Sequence, residues 1–391
     1  MYKIILSTLI MSCFILSCTQ KNKSAETQTP TPADPVTGEL YLLIGTYTSD
    51  KGSKGIYVYR FDESSGKADS VSAIETTNPS YLTLSPDEKF VYAVSENDRA
   101  ESSVSSFSFD KKTGDLALLN TQSTEGSAPC YIEIDPSGKN VVTANYGGGN
   151  ISVFQVKDDG ELTSLTQKFQ FTGTGNDPQR QAAPHLHSVR FSPDGKFLFA
   201  TDLGLDKIYR YDAVNSVFEG QPTLRESSLK SFDLPAQTGP RHFDFHPSGK
   251  YFYLLGELSG QVLVFDYDEG ILTQTQTIAA DTVGARGSAD IHLSPDGNFL
   301  YASNRLQADG IAIFSVNSEN GKLTKTGYQP TETHPRNFAI TPDGNFLLVA
   351  CRDSNKIQVF KRNPETGLLT DIHQDILLDK PVCVKFAKNE H

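Results

Sequence analysis

The sequence predicts an all-β chain folded as a seven-bladed β-propeller, and three observations predict it. One turn recurs six times between apolar runs: LSPDEKF (84–90), IDPSGKN (134–140), FSPDGKF (191–197), FHPSGKY (245–251), LSPDGNF (293–299) and ITPDGNF (340–346). The turn prolines, Pro86, Pro136, Pro193, Pro247, Pro295 and Pro342, stand 50, 57, 54, 48 and 47 residues apart, a spacing that fits one four-stranded blade per repeat. The two chain ends carry complementary fragments of a seventh unit.

The elements follow in order. Residues 1–17 hold Lys3 and an apolar run from Ile4 to Leu16. That run is shorter than the roughly 20 residues a membrane span needs, and it reads as a secretory signal peptide. Ile15-Leu16-Ser17-Cys18 has the form of a bacterial lipobox, so Cys18 is the expected lipidation site. Residues 18–38, rich in Lys, Thr, Pro and Ser, are expected to be a flexible tether. The chain is thus expected to be exported and membrane-anchored in the periplasm or cell envelope, and cytoplasmic only if the signal is not used.

The propeller is expected over residues 39–391. LYLLIGTYT (40–48) and GIYVYRFD (55–62) match a second and a third strand with no first strand before them, and PVCVKF (381–386) matches a first strand with nothing after it. The C-terminal strand therefore closes the ring in one sheet with the N-terminal ones. In the six complete units a strand precedes the turn, a second follows it, and a third resembles VLVFDY or IAIFSV. A weak outer fourth strand follows turns such as Lys112-Thr113-Gly114 and Glu365-Thr366-Gly367. In the recurring turn proline presets φ, Asp or Ser bonds the local backbone, and glycine takes φ > 0.

With 37% apolar and 21% charged residues the chain is globular, not disordered. Its net charge of −12 and lack of a basic stripe argue against a nucleic-acid partner. Beyond the leader the cysteines are Cys130, Cys351 and Cys383, an odd and widely spaced set that reads as buried free thiols.

Counting from each turn proline locates the candidate site. Positions −4 and −2 are apolar in every unit, as one face of a buried strand should be. Position −6 holds Ser80, Cys130, His187, Arg241, Ala289, Arg336 and, in the closing unit, Val382. Position −8 includes His185 and His334, and position +10 includes Glu96, Tyr146, Glu257, Arg305 and Arg352. Antiparallel pairing returns +10 to the end where the first strand began, so one channel mouth should collect His185, His187, Arg241, Glu257, Arg305, His334 and Arg336. Proteins avoid burying unpartnered charge, so such a ring suits an anionic ligand and proton transfer. Alternatively the groups pair with one another and plug the channel. The mouth is expected to hold one strong acid, with no carboxylate set for a metal and no cofactor. The opposite mouth carries the repeated Asp/Ser-Gly turns and is expected to be structural. His246 and His292, nearer the turn, read as structural.

At this level of detail the chain resembles the lactonase family of seven-bladed propellers typified by 6-phosphogluconolactonase, with a fungal branch of carboxy-muconate cyclases. The resemblance rests on IGTYTSDKGSKGIYVYRFD (44–62), ANYGGGNISVFQV (144–156), PHLHSVRFSPDGKFLFATDLGLDKIYRY (184–211), GPRHFDFHPSGKYFYLLGEL (239–258), YASNRLQADGIAIFSV (301–316), HPRNFAITPDGNFLLVACRDSNKIQVF (334–360) and PVCVKF (381–386). It implies His185, His187, Arg241 and Glu257 as catalytic residues. It implies Arg305, His334, Arg336 and Tyr146 as substrate-binding residues. The expected activity is metal-independent hydrolysis of a sugar lactone, a small and anionic molecule, with the membrane met only through Cys18. The rival expectations are a non-catalytic propeller binding a glycan or envelope partner, and a lactone-forming cycloisomerase.

Overall fold

The computed structural model describes Met1 and residues 39–98, 102–214 and 222–390. Met1 aside, the expected signal peptide (1–17), Cys18 and the tether (18–38) lie outside these residues. The rest forms seven antiparallel sheets, as the repeat predicts. Blade 1 is the closing one: Pro381–Lys388 pairs with Glu39–Thr46, followed outward by Gly55–Asp62 and Ala68–Glu75. The register sets Val384 against Ile44 and Phe386 against Leu42, so both chain ends share one apolar sheet.

Blades 2 to 7 follow in chain order. Their innermost strands are Leu82–Leu84, Pro129–Ile134, Leu186–Phe191, Pro240–Phe245, Ser288–Leu293 and Pro335–Ile340. Each innermost strand touches the next, and that of blade 1 touches those of blades 2 and 7, so the ring is closed. Closure leaves no inner sheet edge exposed, which is how propellers avoid edge-to-edge pairing.

The recurring turn behaves as its chemistry requires. In blade 6 the Ser294 hydroxyl donates to Asp296 Oδ1 at 2.5 Å, and Asp296 Oδ1 accepts from the Asn298 N–H at 2.9 Å. Gly297 sits at φ +72°, where a β-carbon would be strained. Apolar residues at −4 and −2 pack between neighbouring sheets, with Phe243, Phe245 and Phe252 clustered beside Phe199 of the preceding blade. Tyrosines of second strands tie successive blades: Tyr41, Tyr92, Tyr253 and Tyr301 donate to carbonyls of Lys112, Gly160, Gly321 and Gly367 in the next outer turn. Cys130, Cys351 and Cys383 are buried and unpaired, as expected.

Candidate active site

Strict strand alternation would turn position −6 the same way as −4 and −2, against the neighbouring blade. A repeated β-bulge changes that. Pairing skips Cys130, His187, Arg241, Arg336 and Val382, each the −6 residue of its innermost strand. Two residues then oppose one on the partner strand, and the side chain is re-aimed. Position −5 now faces the channel as well. Tyr131 of blade 3 lies 5.1 Å from His242 of blade 5, and Tyr81 of blade 2 lies 5.9 Å from it, contacts that cross between non-adjacent blades.

A cavity of about 200 Å³ opens at this mouth, lined by Tyr47, Glu96, Cys130, Tyr146, Arg180, His187, Glu257, Arg305 and Arg336. Glu257 is its electrostatic centre. Its carboxylate accepts from Arg180 Nη2 at 2.6 Å and Arg241 Nε at 3.0 Å, and Arg305 Nη2 lies 3.3 Å away. Burial alone would raise this carboxyl, but Arg305, Arg241 and Arg180 outweigh it and hold it down to about 2. Across the cavity Glu96 Oε2 accepts from the Tyr47 hydroxyl at 2.9 Å, with Arg336 Nη2 3.8 Å away. The expectation of a single acid is therefore corrected: blade 2 brings Glu96 to the same cavity as Glu257 of blade 5. Among the described residues no group of three or more His, Cys, Asp or Glu is gathered to hold a metal ion.

His187 is buried, with Nδ1 3.8 Å from Cys130 Sγ. Burial and the nearby Arg241 push its imidazole well below its ordinary value, so it is uncharged near neutrality. Burial likewise pushes the Cys130 thiol up, which leaves it a poor nucleophile.

Of the eight expected residues, His187, Glu257, Arg305, Arg336 and Tyr146 line the cavity. The other three stand behind the lining. Arg241 is 2% exposed in its side chain; besides Glu257 it donates through Nη1 to the Ala289 carbonyl at 2.5 Å and to His242 Nε2 at 3.2 Å. His185 stacks on Tyr146 at 4.3 Å, and its Nδ1 bonds the Tyr146 carbonyl at 2.9 Å. His334 lies 3.3 Å from Arg305 Nη1 and 3.2 Å from Asp353. Burial and the Arg305 and Arg352 charges lower it to about 3.

Behind Arg241 runs a buried polar chain along the axis. His242 Nδ1 is 2.7 Å from Asp290 Oδ1, and Asp290 Oδ2 accepts from Asn337 Nδ2 at 2.5 Å and lies 3.0 Å from His292 Nε2. Burial and Arg241 lower His242 to about 3. A neutral ring that donates from Nδ1 to Asp290 presents Nε2 to the Arg241 N–H, so Asp290 and His242 together orient Arg241.

At the opposite mouth the turns are joined by a ring of ionisable side chains with local partners. Position −3 supplies Glu133, Arg190, Asp244, His292 and Lys385. Arg190 Nη1 meets Asp244 Oδ1 at 2.6 Å, and Lys385 Nζ sits 4.7 Å from the centre of the Tyr81 ring. Apart from His292, sequence counting missed these residues because −3 alternates with the apolar −4 and −2 and looks like an ordinary outward position. It missed Tyr47 because blade 1 has no turn proline to count from, and Arg180 because the 171–185 connection lies outside the repeat.

A family model described as lactonase, 7-bladed beta-propeller, matches residues 41–386. The 6-phosphogluconolactonase of Formosa agariphila is 39% identical over 356 residues, covering 90% of this chain and all of that protein. That of Bacillus subtilis is 36% identical over 351 residues, covering 88% of this chain and 97% of that protein. Among solved structures, a putative 6-phosphogluconolactonase from Bacteroides fragilis superposes with a TM-score of 0.87 at 51% identity, over 92% of this chain and all of that one. The periplasmic gluconolactonase of Pseudomonas aeruginosa superposes with a TM-score of 0.84 at 33% identity, over 90% of this chain and all of that one.

Proposed function

The chain belongs to the lactonase family of seven-bladed β-propellers, and from that premise we propose that its charged mouth hydrolyses a sugar lactone to the open hydroxy acid. The observation that carries this reading is the pairing, in one cavity, of proton acceptors with arginines. Glu257 and His187 stand beside Arg305 and Arg336.

Water attacks the lactone carbonyl carbon and the C=O electron pair moves to oxygen. Arg305 and Arg336 stabilise that oxyanion; loss of one such donor costs about 10²–10³-fold in kcat. Glu257 or His187 takes the water's proton, a contribution of about 10²–10⁴-fold. The intermediate collapses, the ring C–O bond breaks, and the leaving alkoxide takes the proton back. The product acid then ionises at neutral pH. Tyr146 binds the substrate with His185 behind it, and His334 supports Arg305.

Four arginines against two glutamates leave the cavity surroundings positive, which supports an anionic lactone. Purified protein assayed for proton release at pH 7 against phosphorylated and plain aldonolactones tests the reading. Turnover of a lactone supports it; a flat response to every lactone overturns it in favour of a binding module.

The proposal extends to location. The lipobox ending at Cys18 supports an exported lipoprotein. Cys18→Ser should abolish lipid labelling and release the protein from the membrane fraction. A wild-type protein that takes no lipid label and fractionates with the cytosol would overturn it.

A further inference from the structure

The 171–185 connection is a built loop. The fully buried Gln181 side chain donates to the Leu203 carbonyl at 2.9 Å, and its Oε1 accepts from the Asn176 and Asp177 N–H groups at 3.2 and 3.0 Å. Asp177 Oδ1 accepts from the Gln179 and Arg180 N–H groups at 3.0 and 3.2 Å. The loop is also ion-paired through Asp177 to Arg286 of the neighbouring 280–287 connection. It holds Arg180 against Glu257.

Glu257 thus has three arginine partners, and they differ in freedom. The Arg241 and Arg305 side chains are 2% and 7% exposed, locked by the Ala289 and Gly287 carbonyls, whereas Arg180 is 37% exposed. One carboxylate cannot neutralise three guanidinium groups, and the fourth, Arg336, lies 3.8 Å from Glu96 and over the Tyr47 ring. An incoming anion therefore finds surplus positive charge. The partner it can draw off Glu257 at least cost is the outermost and least buried one.

We propose that Arg180 determines specificity by exchanging partners: the anionic oxygens of a phosphate or carboxylate on the lactone take its guanidinium, and Glu257 Oε1 is released to accept the proton of the attacking water. The idea rests on the lactonase reading above. A neutral lactone leaves Arg180 on Glu257 and the carboxylate clamped by three cations. The anion thus switches on the base as well as adding affinity. With Arg180 gone, Arg241 and Arg305 still face Glu257 from behind and from blade 6, with His187, Arg336 and Glu96 across the cavity.

The test compares wild type, Arg180→Ala and Arg180→Lys on 6-phosphogluconolactone, on a lactone carrying a carboxylate, and on neutral gluconolactone. Arg180→Ala should lower kcat/KM on the charged lactones by about 10–100-fold, the size of one lost hydrogen bond between charged groups. It should speed neutral turnover and move the acid limb of its pH profile upward. Lysine should restore part of the charged-substrate rate. Comparing the phosphate and carboxylate substrates tells which anion the site takes. In a separate calorimetric arm, binding of 6-phosphogluconate should weaken in the alanine variant. Equal losses on charged and neutral lactones, or an unchanged ratio with an unmoved acid limb, would overturn the exchange. A wild type that hydrolyses none of the three removes the lactonase reading itself, and the exchange with it.

Discussion

The two ends of the propeller channel are both ringed by ionisable side chains, and they handle charge differently. At the turn end Arg190 meets Asp244, Asp244 also caps the Leu293 N–H at 2.9 Å, and Lys385 lies on an aromatic face. Those charges have local partners and hold neighbouring blades together. At the other end Glu257 is shared by three arginines and Glu96 faces Arg336 and Tyr47 around an open cavity. Positive charge is left over there, arranged by bulges that the turn end of the same strands lacks. A ring of charge does not by itself mark an active site; a ring whose charges lack full compensation around a cavity does.

The largest expected effect tests that contrast directly. Glu257→Gln should cut kcat for lactone hydrolysis by about 10²-fold or more, from loss of the acid–base contribution, with the melting temperature still that of a folded protein. At the other end Asp244→Ala removes the ion pair of Arg190, which keeps the Phe243 carbonyl, and strands the Leu293 N–H. It should cost about 1–3 kcal/mol in urea unfolding and leave kcat within about twofold. If the two variants exchanged phenotypes, the assignment of the ends would be reversed.

A smaller effect concerns pH. His242 titrates at about 3 in the fold, and His334 likewise, against an unfolded value of about 6.5. Below about 6.5 the unfolded chain binds protons that the folded chain refuses, so stability is full above that pH and falls as pH drops toward 3. Glu257, held to about 2, works in the same direction but only below about 4.5, the ordinary range of a glutamate. Between pH 6.5 and 5 the histidines drive this fall, while Asp202, raised to about 6 by burial, takes up its proton in the fold and works against them. His242→Asn should flatten it by up to about 1.4 kcal/mol per pH unit, the full weight of one proton. An unchanged slope would mean that His242 is already protonated in the fold and cannot accept from Arg241.

What the sequence made legible follows from what repeats. Proline-centred turns at a regular spacing reveal blades, and counting from them brings Arg241, Glu257, Arg305 and Arg336 to one mouth. Counting predicted the right residues at −6 for an incomplete reason: without the bulge, Arg241 would point with Phe243 and Phe245 into the packing between blades. A bulge is a backbone irregularity that leaves no mark in the spacing from the turn. The same omission hid His242 and Asp290, which the bulge turns onto the axis. Glu96 stood in register with Glu257, but nothing in a list of repeats says which blades face each other across a ring. Arg180 lies in a connection with no counterpart in the other blades, so no register reaches it.

The smallest expected effect falls on the residue that joins the two ends. His292 Nε2 lies 3.0 Å from Asp290 Oδ2, while its ring packs edge-on against Phe338 at 5.0 Å. Asp290 also holds His242, and His242 holds Arg241. Asparagine at 292 places its amide where Nδ1 now sits, beside Asp244, so it falls short of Asp290 and loses that contact together with the ring contact. His292→Asn should therefore cost about 1–3 kcal/mol of stability, from one aromatic contact and one hydrogen bond to a charged group, and change kcat by less than twofold. The buried carboxylate has other donors, since Asn337 Nδ2 and the Phe338 N–H reach the same oxygen at 2.5 and 3.1 Å. Those donors should keep Asp290 in place and insulate Arg241 from the change. A tenfold fall in kcat without loss of fold would show that the chain His292–Asp290–His242–Arg241 couples the two mouths. The turn end would then be part of the site it has been contrasted with.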